Sequence, residues 1–318
     1  MITVVVPIYN NARFLDSLIR QFYQQTASDF EVVFVDDGST DNPQKIINQI
    51  DDDKLIYRYI RQNNQGVGAA RNTGIDQAQG QYLMFVDPDD QIMPNFVAEG
   101  ANVIKKADLG IMAFDLIDAQ QNQLISHHQW KNVEYQYSDF LKNFSSLYNS
   151  ELLFSVFNKV YDAKILKRQQ LRFSKLRMGE DFLFNMQYFD LIDSVSLTDV
   201  VTYCYMIYDE GTATTSFHGD EFDCSYSNQQ YLIDFLNRHN VYDEKLVSLH
   251  WSLILAYRFA DVRKLKRRGS KEYHFARSQF LEILTIFKKE RLVKVMLLPP
   301  VRMMKYLVMV TKLNRVFI

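Results

Sequence analysis

The sequence predicts an α/β fold: a mostly parallel β-sheet with helices on both faces, followed by a mainly helical C-terminal region. Two observations predict it. Across residues 1–115, short continuous apolar runs alternate with segments whose apolar residues recur at helical spacing, which is typical of parallel strands buried on both faces. Beyond residue 220 the pattern becomes almost wholly helical.

Each element of the first part follows from its local pattern. The strand sequences are ITVVVPIY, FEVVFVDDG, KLIYRYI and YLMFVDPDD. Helices are expected over residues 12–25 and 43–50, from residue 69, and over residues 94–107, because the apolar residues there fall on one face. In the first helix that face holds Phe14, Leu15, Leu18, Ile19 and Phe22. Residues 116–215 mix helix, loop and short strand, so we place a domain boundary near residue 216, between a domain at 1–215 and a region at 216–318.

The composition indicates a globular protein of about two domains. Of the 318 residues, 47% are hydrophobic and 23% are charged, which argues against wholesale disorder. The two cysteines, Cys204 and Cys224, argue against a disulfide framework and favour the reducing cytoplasm. The first residues, MITVVVPIYN, enter a strand without a basic leader, so we expect no signal peptide.

The net charge of −2 hides a strong asymmetry along the chain. Residues 258–318 carry sixteen Lys and Arg against four Asp and Glu, a charge of +12, which leaves −14 for the rest. Charge-free stretches in this tail are far shorter than the roughly 20 residues of a membrane span. We interpret the tail as an interfacial segment on anionic lipid at the inner face of the cell membrane. The alternative is a helical subdomain packed on the body or on a second copy in a homodimer, and nucleic acid is not expected as a partner.

Polar clusters follow each predicted strand. Strand one ends in PIYN, strand two in DDGSTD and strand four in DPDD, and NNQGVGAARNTG follows strand three. In an open parallel sheet, ligands bind beyond the carboxyl ends of the strands. Four clusters at that edge therefore predict a site there.

The DPDD cluster is the strongest candidate for a metal site. Asp87 and Asp89 can share a hard divalent cation and leave coordination positions for phosphate oxygens and water. The alternative is a solvated turn that caps the next helix. Asp90 either supports the two ligands or caps that helix. A calcium EF-hand is excluded because Ile92 stands where the loop needs glycine.

The other clusters leave two interpretations each. Asp37 can accept the imide N–H of a uracil, or its segment is a turn in which Ser39 or Asp41 caps the helix at residue 43. Arg71 can clamp a diphosphate, or it forms an ion pair with an acidic cluster. In RMGED, one carboxylate is a general base, or both acids only complement a helix dipole. His218 could reach a metal but fits a solvated position better.

The ordered set VVPIYN, VDDGSTD, NNQGVGAARNTGI, FVDPDD and GED resembles the family 2 glycosyltransferases with a GT-A fold, over residues 1–185. The resemblance implies inverting transfer of a sugar from a nucleotide-diphosphate sugar, most simply a UDP-sugar. It assigns residues 1–115 to the nucleotide sugar and residues 116–215 to the acceptor. The residues that it implies are Pro7 and Tyr9 at the nucleobase, Asp37 at the uracil with Asn64 nearby, Gly66 and Arg71 at the diphosphate, Asp87 and Asp89 as the Asp-x-Asp ligands of Mn²⁺ or Mg²⁺, Asp181 as the catalytic base, and Lys159 near the acceptor.

The acceptor is less defined than the donor. Family habit suggests a glycan or polyprenyl-linked acceptor in cell-surface polysaccharide synthesis. Relatives often carry a Glu where this chain has Lys175 and Arg177, so an acceptor with phosphate groups is an alternative. Two other functions stay open: a non-catalytic sugar-nucleotide-binding protein, and an aspartate-dependent phosphatase or receiver-type domain. The last is disfavoured because strand one ends without a carboxylate and a receiver does not explain GED.

Overall fold

The computed structural model describes residues 1–51, 53–208, 220–251, 254, 262 and 271–291. It divides into two compact units, Met1–Ala213 and Thr214–Ile318. The predictions about His218 and about the basic segments at 263–270 and 292–318 lie outside the described residues.

The described part of the first unit is built on one ten-stranded sheet. Its strands are β1 (Ile2–Ile8), β2 (Phe30–Asp36), β3 (Tyr57–Arg61), β4 (Tyr82–Phe85), β5 (Gln91–Ile92), β6 (Leu109–Asp118), β7 (Gln123–His128), β8 (Val133–Gln136), β9 (Lys159–Asp162) and β10 (Ser194–Ile207). Its helices are α1 (Ala12–Tyr23), α2 (Gln44–Ile47), α3 (Val67–Gln77), α4 (Phe96–Ile104), α5 (Tyr137–Asn149), α6 (Ala163–Arg168) and α7 (Glu180–Phe189).

The strand order is β3-β2-β1-β4-β9-β6-β10-β5, with β7 beside β6 and β8 beside β10. The first four strands pair in parallel, as the sequence predicts. The second part is mixed, because β9 enters antiparallel between β4 and β6 while β10 runs parallel to β6. The carboxyl ends of β1, β2 and β4 therefore face one edge of the sheet.

Burial explains why these segments form their elements. Every residue of β1 and β2 is buried, as continuous apolar strands covered on both faces require. On α1, Leu15, Leu18 and Phe22 are buried as predicted. Phe14 is only half-buried, and its ring centroid lies 5.5 Å from that of Tyr208.

A glycine lets α3 lie close to the central strand. A Cβ atom at Gly74 would lie 2.2 Å from Cγ1 of Val5 on β1, closer than any side chain allows. The small residue thus brings α3 against the sheet, and with it Arg71, which is buried on the same helix. The position of Arg71 at the sheet edge depends on this close approach.

The described residues of the second unit are mainly helical. They form α8 (Glu221–Arg238), a helical run at 244–251 and α9 (Lys271–Arg291). Leu232, Phe235 and Leu236 on α8 are buried, as are Leu246 and Trp251. Within the described part of the chain, no helix is both long and apolar enough to cross a membrane.

Candidate active site

The guanidinium of Arg71 brings distant carboxylates together. Arg71 is only 3% exposed. Its Nη1 donates to Oε1 of Glu180 at 3.1 Å and to the Asp181 carboxylate, while Nη2 donates to Oδ1 of Asp87 at 3.1 Å. The end of β4 and the start of α7 therefore meet at one cation. Of the two sequence interpretations for Arg71, the structure displays the ion pair, and a diphosphate contact stays a prediction.

The segment before α7 is clamped to α3. The Asn72 side chain donates to the Phe173 carbonyl at 3.0 Å and accepts from the Phe173 N–H at 2.8 Å. A Cβ atom at Gly68 would lie 3.0 Å from the Ser174 carbonyl oxygen, so this glycine permits the close approach. Gly179 then takes a left-handed conformation with φ 77°, which suits glycine, and starts α7. These features place Glu180 and Asp181 opposite Arg71.

Asp90 supports the turn that carries the predicted metal ligands. It is buried, and its two carboxylate oxygens accept from the Tyr203 hydroxyl at 2.5 Å and the Met206 N–H at 2.8 Å. The Tyr203 oxygen also accepts from the Asp87 N–H at 3.3 Å. Strand β10 thus holds the turn in place through these hydrogen bonds. Of the two roles weighed for Asp90, these bonds favour support of the turn.

The carboxylates of the site carry more negative charge than the protein compensates. Burial, and then the charge of Asp87, raises the pKa of Asp89 to about 6. Burial raises the pKa of Asp181 to about 7; Arg71 opposes this rise, and Glu180 and Asp87 add to it. Such uncompensated negative charge favours a cation at this edge.

The prediction that Asp87 and Asp89 bind a hard divalent cation stays a prediction, and the chemistry of the two side chains supports it. Carboxylate oxygens are the donors that Mg²⁺ and Mn²⁺ prefer. Among the described residues, no three or more His, Cys, Asp and Glu side chains are grouped to hold a metal ion.

Asp37 organises the turn that leads into α3. One of its carboxylate oxygens accepts from Nε2 of Gln62 at 2.8 Å and the Gln65 N–H at 2.9 Å, and the other accepts from the Gly66 N–H at 2.7 Å. Gly66 is exposed and has φ 92°, which favours glycine. The buried carboxylate is thus used by the turn, and a contact with uracil stays a prediction.

The remaining residues predicted to bind the nucleotide sugar are distributed along the same edge of the sheet. Tyr9, directly after β1, is 50% exposed, whereas Pro7 is buried within the strand. Asn64 is exposed between β3 and α3. The Asp41 carboxylate accepts from the Ala12 N–H at 2.8 Å and so caps the start of α1. The sequence placed Asp41 instead as a candidate cap of the helix at residue 43.

The acceptor-side residues differ in exposure. Lys175 and Arg177 are exposed in the segment before α7. Lys159 is fully buried, so its surroundings do not favour direct contact with an acceptor.

Sequence reasoning missed Tyr205 on β10. Burial raises the pKa of Tyr205 to about 12, and its phenol is acted on by the charges of Asp90, Asp87, Asp89 and Asp181. The half-buried ring stacks on Phe157 with centroids 5.5 Å apart. Its phenol therefore lies within the electrostatic reach of both groups of carboxylates. The available signal was the tyrosine at alternate positions of a strand, TYCYMIY, which resembles ordinary core.

Comparisons with known proteins identify the family of the chain and its fold. Residues 3–169, more than half of the chain, match the family Glycosyl transferase family 2. The glycosyltransferase GlyA of Streptococcus pneumoniae serotype 4 (strain ATCC BAA-334 / TIGR4) is 30% identical over 213 residues, which cover 65% of this chain and 30% of GlyA. The chain thus spans under a third of that relative's length.

Two solved structures share the fold. TarS residues 1–349 of Staphylococcus aureus, in complex with UDP-GlcNAc, matches with a TM-score of 0.61 at 20% identity, over 89% of this chain and 88% of TarS 1–349. The mannosyltransferase PcManGT of Pyrobaculum calidifontis, in complex with GDP-Man and Mn²⁺, matches with a TM-score of 0.53 at 14% identity, over 92% and 87%. The mixed sheet with flanking helices is the GT-A fold. With the family match over residues 3–169, this chain belongs to glycosyl transferase family 2.

Proposed function

We propose that this chain is an inverting, metal-dependent glycosyltransferase that moves a sugar from a UDP-sugar to a hydroxyl of a glycan or lipid-linked acceptor in cell-surface polysaccharide synthesis. One observation carries the proposal. The Arg71 guanidinium joins Asp87, at the sheet edge where a diphosphate would lie, to Asp181 on α7. The related structures are complexes with UDP-GlcNAc and with GDP-Man and Mn²⁺, which supports a nucleotide-sugar donor.

Asp181 is the proposed general base. A base works best when its pKa lies near the working pH, and the pKa of Asp181 is raised to about 7. It would take the proton of the acceptor hydroxyl as that oxygen bonds to the anomeric carbon. The bond from the anomeric carbon to the diphosphate breaks on the opposite face, and a single displacement inverts the configuration.

The donor side would be held by the residues of the sheet edge. Tyr9, Asp37 and Asn64 would contact the nucleobase, and Asp87 and Asp89 would hold Mn²⁺ or Mg²⁺. When bound, the ion supplies Lewis-acid stabilisation of the negative charge on the diphosphate. Arg71 opposes the rise in the pKa of Asp181 that burial causes, because a neighbouring cation lowers the pKa of a carboxylate.

The first test is transfer by wild type and by Asp181→Asn. Release of nucleoside diphosphate is measured with Mn²⁺ across UDP-, GDP- and dTDP-sugars, with and without glycan and lipid-linked acceptors. We expect transfer from a UDP-sugar by wild type and a loss of about 10²–10⁴-fold in Asp181→Asn, with UDP affinity unchanged. Asp199→Asn, which removes an exposed carboxylate on β10, is the matched control.

Full transfer by Asp181→Asn would remove this residue from the mechanism. Binding of UDP-sugars without any transfer would favour a non-catalytic binding protein.

The second test concerns the metal. Asp89→Ala should weaken UDP binding in the presence of Mn²⁺, because one of two protein ligands is lost, and should leave binding in EDTA unchanged. Titration calorimetry with and without EDTA measures both, with Asp199→Ala as control. If wild type binds UDP equally well with Mn²⁺ and with EDTA, the metal site is wrong.

A further inference from the structure

Lys159, the first residue of β9, is a buried cation that the proposed mechanism does not use. The residue is 0% exposed. Its ammonium donates to the carbonyl oxygen of Leu152 at 2.8 Å, to that of Ser155 at 2.5 Å, and to Oδ1 of Asn158 at 2.9 Å. All three acceptors are neutral oxygens. Burying an ammonium is costly unless hydrogen bonds and neighbouring charges compensate the loss of hydration. The burial of Lys159 must therefore be compensated by its hydrogen-bond partners and by nearby charges.

The ammonium forms part of a network that fixes the segment 152–155. Nδ2 of Asn185, on α7, donates to the carbonyl oxygens of residues 153, 154 and 155 at 3.2, 2.9 and 3.1 Å. Nδ2 of Asn158 donates to the carbonyl of residue 152 at 3.2 Å. The Tyr161 hydroxyl in turn donates to Oδ1 of Asn185 at 2.5 Å. Each of the four carbonyls therefore accepts from a buried side chain.

This fixed segment ends at the proposed base. The backbone N–H of Val156, the next residue, bonds to the Asp181 carboxylate. Asn185 lies four residues after Asp181 on α7, so both project from one side of that helix. Burial lowers the pKa of Lys159 to about 7, and the charge of Asp181 opposes this lowering. Lys159 and Asp181 are thus coupled through the segment and through their charges.

We propose that Lys159 is a positioning residue: its ammonium fixes the segment 152–155, so that the Val156 N–H holds the Asp181 carboxylate in place and its positive charge favours the ionised base. The inference rests on the proposed function, in which Asp181 is the base. A neutral side chain of the same length would remove one of the two side-chain donors to each of the carbonyls of Leu152 and Ser155, and it would remove the charge.

Charged and titratable groups from several elements interact electrostatically with Asp181. They are Glu180 on α7, Arg71 on α3, Asp87 after β4, Lys159 and Tyr161 on β9, and Tyr205 on β10. Of these, Arg71 and Lys159 are the cations. With Arg71 unchanged, loss of the Lys159 charge should raise the pKa of Asp181. The acid limb of the pH–rate profile should then move to higher pH.

The test compares wild type with Lys159→Met. We expect kcat to fall by roughly 10²-fold, the typical effect of misplacing a catalytic group by about 1 Å, and the acid limb of the kcat profile to move to higher pH. The donor KM and UDP affinity should be unchanged. Lys164→Met is the matched control, since Lys164 is an exposed lysine five residues further on, and we expect wild-type values.

The outcomes separate this inference from the proposed function. A wild type that transfers no sugar overturns both. A wild type that transfers sugar, beside a Lys159→Met variant with equal kcat and an unmoved acid limb, overturns the inference alone. If Lys159→Met does not fold, NMR titration of labelled lysine in wild type and Asp181→Asn decides. We expect the pKa of Lys159 to fall in Asp181→Asn because the charge that raises it is lost, and an unchanged titration overturns the inference.

Discussion

The guanidinium of Arg71 contacts Asp87, Glu180 and Asp181 at once, so three negative charges share one positive charge. Burial raises the pKa of the carboxyl groups nearby, the charges of neighbouring carboxylates add to the rise, and at Asp181 the guanidinium opposes it. The pKa values of Asp89 and Asp181 are raised to about 6 and about 7. The sequence identified these residues and Arg71 as candidates, with an ion pair as one interpretation of Arg71, but not which carboxylates share its guanidinium, because the partners are up to 110 residues apart in the chain.

The raised pKa values of Asp89 and Asp181 predict how the free energy of unfolding depends on pH. Between about pH 4 and pH 7, folded Asp89 and Asp181 retain protons that the unfolded chain has released, since the ordinary pKa of an aspartate is 3.8. The free energy of unfolding of the ligand-free protein should therefore fall as pH rises through this window. Urea unfolding at pH 5 and pH 7.5 measures the fall, and Asp181→Asn should show a smaller one. Equal pH dependence in wild type and Asp181→Asn would contradict the raised pKa.

At the scale of elements, β10 is the support of the candidate site. Its Tyr203 and Met206 hold Asp90, and the hydroxyl of Tyr208, just beyond the strand, donates to the Asp89 carbonyl at 3.0 Å. The turn with the predicted metal ligands is therefore tied to a strand more than a hundred residues later in the chain. Its geometry depends on these bonds.

Tyr203→Phe tests this support. The change removes the donor to buried Asp90 and the acceptor of the Asp87 N–H, so we expect a loss of about 1–3 kcal/mol in the free energy of unfolding. The affinity for UDP with Mn²⁺ should fall as well. Urea unfolding and calorimetry measure the two effects, and Tyr82→Phe, at the start of β4, is the control. Wild-type UDP affinity in Tyr203→Phe would show that the turn holds its shape without β10.

Sequence reasoning reached the elements that carry local signals. The four parallel strands, the helices between them and the polar strand ends follow from periodicity and turn residues. The mixed second half did not, because no local pattern tells β9 to run antiparallel to β4 and β6. Tyr205 was missed for a related reason: its proximity to the carboxylates depends on the pairing of β10 with β5 and β6.

At the scale of the whole molecule, the charge is divided unevenly. Residues 258–318 carry +12 and the rest carries −14. Much of this basic tail lies outside the described residues, so its contact with lipid stays a prediction from the sequence. A basic segment is attracted to anionic lipid by about 1 kcal/mol for each Lys or Arg near the surface.

Vesicle flotation of the full chain tests that prediction. We expect binding to vesicles of phosphatidylcholine and phosphatidylserine at low salt, weaker binding at high salt because charges are screened, and little binding to phosphatidylcholine alone. A variant with Lys266→Gln, Arg267→Gln and Arg268→Gln should bind less. Absence of the full chain from the floating fraction at low salt would exclude the membrane role.

The shared guanidinium also has a consequence for engineering. Because Asp87 and Asp181 are partners of the same Arg71, replacing either one changes the charge that the other experiences. Substitutions on the donor side and on the acceptor side should therefore be epistatic, with double-mutant effects that differ from the sum of the single ones. Libraries that alter donor and acceptor choice would need to vary the two sides of Arg71 together.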